Sequence, residues 1–179
     1  MRKVIGFLLL AVLAACKREP AAEVRKPRAE LSALYEAGRA LADSVPPGGA
    51  PDPVLLQKLR AEFAKQIEAV DGLPEAQRTR LAPFATRYSR VADVYEVANA
   101  VLNLSAQIDE CKLTRSAREC RTQFEADAAK LDARILEMAG SRLGCGSCDT
   151  ASKTTGAAIL ARALELHAVA DRRLTQNQP

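Results

Sequence analysis

The chain has 179 residues, 48% of them hydrophobic and 27% charged, with 4% aromatic and no Trp, a balance that fits one folded domain of modest size and excludes both a disordered chain and two full domains. The formal net charge is +4; of the 26 basic side chains, Arg2 and Lys3 belong to a distinct N-terminal segment, and the remainder nearly balance the 22 acidic ones. That leaves no charge footprint for a nucleic acid, and so few aromatic rings argue against base-stacking platforms and carbohydrate sites.

Arg2 and Lys3 precede an apolar run from Val4 to Ala15, interrupted only by Gly6. This is the form of the charged start and short apolar core of an export signal. As a helix the run is about 18 Å long, short of the roughly 30 Å of hydrocarbon that a membrane span must cross. It ends in Leu13-Ala14-Ala15-Cys16, which closely resembles the lipobox of bacterial lipoproteins processed by signal peptidase II and matches it at every position. The resemblance implies that residues 1–15 are removed, that the Cys16 thiol carries a diacylglyceryl group, and that the new amino terminus is open to acylation too. At about 0.8 kcal/mol per buried CH₂, two or three such chains anchor a protein firmly to a membrane. Lys17 stands where enteric lipoproteins kept in the inner membrane often carry Asp, so the resemblance further implies the outer membrane, facing the periplasm. The alternatives are a secretory signal with a coincidental Cys, or a buried first helix.

Residues 16–28 read as the acylated Cys and a basic tether, with Pro20, Pro27 and no apolar period. Its basic side chains either meet anionic headgroups or keep the linker solvated. Residues 29–175 show apolar residues at helical spacing almost throughout and no alternating segment between turn residues. The expectation is an all-α fold, an antiparallel helical bundle of four to five helices stapled by disulfides, with residues 176–179 as a tail.

The first helix is expected over Ala29 to Val45, with Leu31, Leu34, Tyr35, Leu41 and Ala42 inward, stopping at Pro46-Pro47-Gly48-Gly49. The second opens with Asp52 as N-cap and Pro53 in the first turn, carries Leu56, Leu59, Phe63, Ile67 and Val70, and closes at Gly72. A third helical stretch runs from Pro74 to about Lys112, with a break or kink expected at Pro83. Its stripe of Phe84, Tyr88, Val91, Tyr95, Ala98 and Leu102 lies beside a second one of Val94, Val97, Val101, Leu104, Ile108 and Cys111. A face that wide suits the centre of the bundle. Ser116 and Glu119 form a capping box for a fourth helix over Ala117 to Ala139, with Cys120, Phe124, Ala128, Leu131, Ile135 and Met138 inward. After Gly140, Gly144 and Gly146, a fifth helix is expected over Thr150 to Thr175. Short connections favour an up-and-down order. Leu34 to Leu41 faintly resembles the first helix of a tetratricopeptide repeat, but no second copy follows at the repeat distance.

Besides Cys16 there are Cys111, Cys120, Cys145 and Cys148, an even set in a chain bound for an oxidising compartment, so two disulfides are expected. Cys111 and Cys120 fall at the same end of one helical hairpin. Cys145 and Cys148 follow the far end of the fourth helix, about 35 Å away, whereas a disulfide needs Cα atoms within about 7 Å. The pairing is therefore read as Cys111–Cys120 and Cys145–Cys148. The first bond closes a loop worth about 2 to 3 kcal/mol in the chain-entropy model.

Cys145-Gly146-Ser147-Cys148 also has the form of a redox motif ahead of a helix, but no strand precedes it as in thioredoxin-type enzymes. Zinc is disfavoured by the Cys111/Cys120 spacing, and Asp149 stands where a c-type haem site requires His. His167 is the sole histidine and reads as a packed, hydrogen-bonded core residue. Asp93 and Glu96 share a helix face and read as solvated carboxylates rather than a cation site. No catalytic residue, metal or cofactor is assigned. Three functions remain: a lipid-anchored interaction or structural component with an envelope protein partner, a tethered thiol-disulfide protein, and a bundle holding a small apolar ligand.

Overall fold

The computed structural model describes residues 31–139 and 152–176, and among these every regular element is a helix. They are α1 (Ser32–Ser44), α2 (Pro53–Asp71), α3 (Glu75–Cys111), α4 (Ala117–Ala139) and α5 (Lys153–Thr175). The fold is all-α, as the periodicity implies. The end of the lipobox segment, Cys16, the tether, and Cys145 with Cys148 lie outside the described residues.

Local chemistry accounts for the boundaries. The turn after α1 places Gly48 at φ 68°, the left-handed region that favours glycine. With the Gly49 N–H donating to the Pro46 carbonyl at 3.0 Å, Pro47 and Gly48 occupy the positions these residues favour in a type II turn. The Asp52 carboxylate then accepts from the Val54 and Leu55 N–H groups at 2.8 and 3.4 Å, starting α2. The Ser116–Glu119 box is reciprocal: the Glu119 N–H donates to Ser116 Oγ at 3.3 Å, and the Ser116 N–H donates to Glu119 Oε2 at 2.9 Å. The Ser116 hydroxyl and N–H hold the exposed Glu119 carboxyl below its ordinary pKa. α5 begins at Lys153, three residues later than the sequence pattern places it, because Ser152 caps it by accepting from the Thr155 N–H at 3.1 Å.

α3 runs unbroken through Pro83, contrary to the expected break. Proline removes one intrahelical hydrogen bond, at roughly 3 kcal/mol in an exposed helix. Here the residues on either side of it, Leu81, Phe84, Ala85 and Tyr88, are buried, and that burial offsets the cost of the lost bond. At 37 residues, or about 55 Å, α3 is the central element. Both expected stripes on it are buried, except that Cys111 at the end is only partly covered. It packs against α2, α4 and α5, while α1 rests on α2 and more lightly on α5.

Cross-helix pairs fix the directions. Arg60 on α2 meets Asp93 while Val70 lines a cleft with Ala82 and Ala85, Cys120 and Arg134 on α4 meet Cys111 and Glu96, and His167 and Asp171 on α5 meet Tyr95 and Tyr88. α2, α4 and α5 therefore all run antiparallel to α3, which makes α4 and α5 parallel to each other. The strict up-and-down order is thus replaced by two helices sharing one long partner. Gly156 permits the close approach of α5: a Cβ there would sit 2.6 Å from Leu102 Cδ2.

Candidate functional site

The main concentration of polar chemistry in the core lies where α1, α3 and α5 meet. Tyr88 and Tyr95 are seven residues apart on one face of α3, and His167 and Asp171 are four apart on one face of α5. Antiparallel packing sets the two pairs opposite each other. The Tyr88 hydroxyl donates to Asp171 Oδ1 at 2.6 Å. The Tyr95 hydroxyl lies 3.1 Å from His167 Nδ1 and donates to it in the tautomer that carries its proton on Nε2. Both phenol rings meet the imidazole edge-on, with centroids 6.0 and 5.8 Å away. His167 Nε2 is 3.4 Å from Asp171 Oδ1 but outside hydrogen-bond geometry, so this buried nitrogen has no hydrogen-bond partner.

Gly38 on α1 closes the cluster, since a Cβ there would lie 2.8 Å from His167 Nε2. Arg39 follows at the rim, its Nη1 3.7 Å from Asp171 Oδ2 and its Nη2 3.5 Å from Asp43. His167 is 1% and Asp171 8% exposed, and both tyrosines are fully buried. Burial raises the Tyr88 and Tyr95 hydroxyls far above the ordinary tyrosine pKa, and the neighbouring Asp171 carboxylate adds to it. For Asp171 burial pushes upward, but His167, Tyr88 and Arg39 together outweigh it and hold the carboxyl below its usual range. The result is a carboxylate anchored in the core, with a hydrogen-bond donor on α3 and an ion-pair partner on α1.

The expected Cys111–Cys120 bond joins α3 to α4, with Cα atoms 5.9 Å apart. Asp93 and Glu96 do not stand free in solvent. Arg60 bridges both of them from α2, and Arg134 on α4 reaches Glu96 at 3.2 Å. Two guanidinium groups thus occupy the face on which a cation would have to sit. Among the described residues no group of three His, Cys, Asp or Glu is placed to hold a metal ion, and no helix is long and apolar enough to cross a membrane. An open cleft of about 420 Å³ between α2 and α3 is lined by Phe63, Ile67, Val70, Ala82 and Ala85.

His167 has the packed, hydrogen-bonded environment its sequence position implies. Tyr88 was legible only as core, while Gly38, Arg39 and Asp171 carry weaker signals: a glycine amid an apolar helix, and a carboxylate one turn beyond the histidine. Set against known protein families, characterised proteins and solved structures, the chain matches none.

Proposed function

We propose that this protein is a bacterial lipoprotein, anchored through Cys16 and facing the periplasm from the outer membrane, whose helical domain works as an interaction or structural component of the cell envelope. The observation that carries the reading is Leu13-Ala14-Ala15-Cys16 behind Arg2, Lys3 and an apolar run too short to span a bilayer. Two or three acyl chains supply the membrane affinity, and residues 17–28 separate the domain from the lipid. The enclosure of Tyr88, Tyr95, His167 and Asp171 supports a role by contact rather than by chemistry on a substrate. Their hydrogen bonds tie α3 to α5, which favours a stable body for docking a partner in the envelope.

The test is metabolic labelling of the full chain with a palmitate analogue in a bacterial host, alongside Cys16→Ala. The wild-type chain is expected to take up label and fractionate with the outer membrane, the variant to remain unlabelled, and Lys17→Asp to shift the labelled protein to the inner membrane. An unlabelled wild-type chain that keeps its initiating Met would overturn the anchor and the location together.

A further inference from the structure

We propose that the Cys111–Cys120 disulfide is a dithiol-reducible clasp that holds α4 on the domain, and that reduction frees α4 while α1, α2, α3 and α5 stay assembled. The inference comes from the distribution of burial. α3 and α5 bury long stripes against each other. Among the described side chains of α4 only Cys120 and Leu131 are buried; Phe124, Ala128 and Ile135 are half-covered, and Leu136 is exposed. α3 is also the one helix that α4 packs on to any extent. Away from the disulfide, the polar link between the two is Arg134 with Glu96, a pair open to water at both ends. Such a pair contributes little, and a helix in a protein draws most of its stability from packing its apolar face, of which α4 buries little. The covalent bond therefore carries a large share of what keeps α4 in place.

The clasp is approachable from one side. Cys111 is partly exposed while Cys120 is buried. Lys112, Arg118 and Arg121 line an open cleft of about 680 Å³ beside the bond, with Ile108 and Phe124. An incoming thiolate meets positive charge from residues adjoining both cysteines, and Cys111 is the more exposed of the two. Attack forms a mixed disulfide at Cys111 and releases Cys120 as a thiolate that takes up a proton. The second thiol of the same reductant then attacks its own sulfur in the mixed disulfide, releasing Cys111. Two electrons move: this disulfide becomes two thiols and the dithiol becomes a disulfide. Beneath α4, between the pinned ends at Cys111 and Glu96, lie Val97, Val101, Leu104 and Ile108 on the same face of α3 as Cys111. Freeing α4 uncovers that apolar stripe.

Amide hydrogen exchange of the full chain tests this, comparing the oxidised protein with the dithiothreitol-reduced protein and with Cys111→Ser/Cys120→Ser. The double variant leaves Cys145 and Cys148 untouched. Losing a ten-residue loop constraint is expected to speed exchange across residues 117–139 by about 100-fold, with the α3–α5 amides around Tyr95 and His167 unchanged. Protection of α4 that holds within about threefold would overturn the proposal. So would equal acceleration throughout the domain, because the bond would then staple the whole fold.

Discussion

Replacing Gly38 by Ala adds one methyl group at a point where the structure leaves no room. The new Cβ would lie 2.8 Å from His167 Nε2, 3.1 Å from Cε1 and 3.3 Å from Tyr88 Cε1, against a comfortable separation of roughly 3.5 to 4 Å. The imidazole has nowhere to retreat, because Tyr88 and Tyr95 flank it and the Tyr95 hydroxyl holds Nδ1. Overpacking of this kind costs about 1 to 3 kcal/mol, and losing the Tyr95–His167 hydrogen bond adds about 1 kcal/mol. Ala in place of Gly inside a helix returns about 1 kcal/mol. The net expectation is a loss of about 1 to 3 kcal/mol, or a fall in Tm of about 2 to 4 °C for each kcal/mol in a chain of this size. Urea titration followed by circular dichroism measures it, with Gly72→Ala as the control. Gly72 has a right-handed helical backbone and its nearest neighbours lie 3.7 Å away or more, so Ala there should be neutral to about 1 kcal/mol stabilising. In a His167→Ala background the Gly38→Ala penalty should shrink, leaving the 3.3 Å contact with Tyr88 Cε1 set against the helix-propensity gain. If Gly38→Ala stabilises the wild-type protein as much as Gly72→Ala does, the close packing of α1 on His167 is refuted.

Tyr88→Phe removes the 2.6 Å donor to a buried carboxylate and is expected to cost about 1.5 to 3 kcal/mol; a double-mutant cycle with Asp171→Asn should show coupling, and simple additivity would count against the contact. The native Asp171 carboxyl titrates below its unfolded value near 3.9. Its stabilisation is therefore complete above about pH 4 to 5 and is lost as pH falls through the native value, so acid unfolding should be less steep in Asp171→Asn. Tyr88 and Tyr95 shift the other way, with native values above the unfolded value near 10. Stability should then decline above pH 10 by up to about 1.4 kcal/mol per pH unit for each tyrosine, and ultraviolet titration should show these two ionising only with unfolding. Glu96→Gln breaks half-exposed pairs to Arg60 and Arg134, and equilibrium denaturation should find a loss under about 1 kcal/mol that shrinks further in high salt.

Much of the architecture is written in short-range chemistry. Asp52 and Pro53 announce α2, Ser116 and Glu119 announce α4, and two neighbouring apolar stripes mark α3 as the helix with most to bury. Placing Cys111 and Cys120 at one end of a hairpin was enough to pair them. Three features depend on longer-range terms. Pro83 reads as a break because its local cost is visible in the sequence, whereas the burial around it that offsets the cost is not. The parallel course of α4 and α5 follows from both preferring α3, a choice that helical spacing alone does not encode. Asp171 looks like a surface carboxylate on its own helix, and only the axial register set where Gly156 meets Leu102 brings it to Tyr88.

The hydrogen bonds that complete the central cluster join residues 83 and 72 positions apart, whereas α2, α3 and α4 meet through neighbouring hairpins. A chain emerging amino terminus first can form those hairpins early, but its longest helix keeps one greasy flank bare until the final helix arrives. A product cut short before residue 152 would lack the partner for that flank and present it to proteases and chaperones, so only the finished molecule can hide its tyrosines.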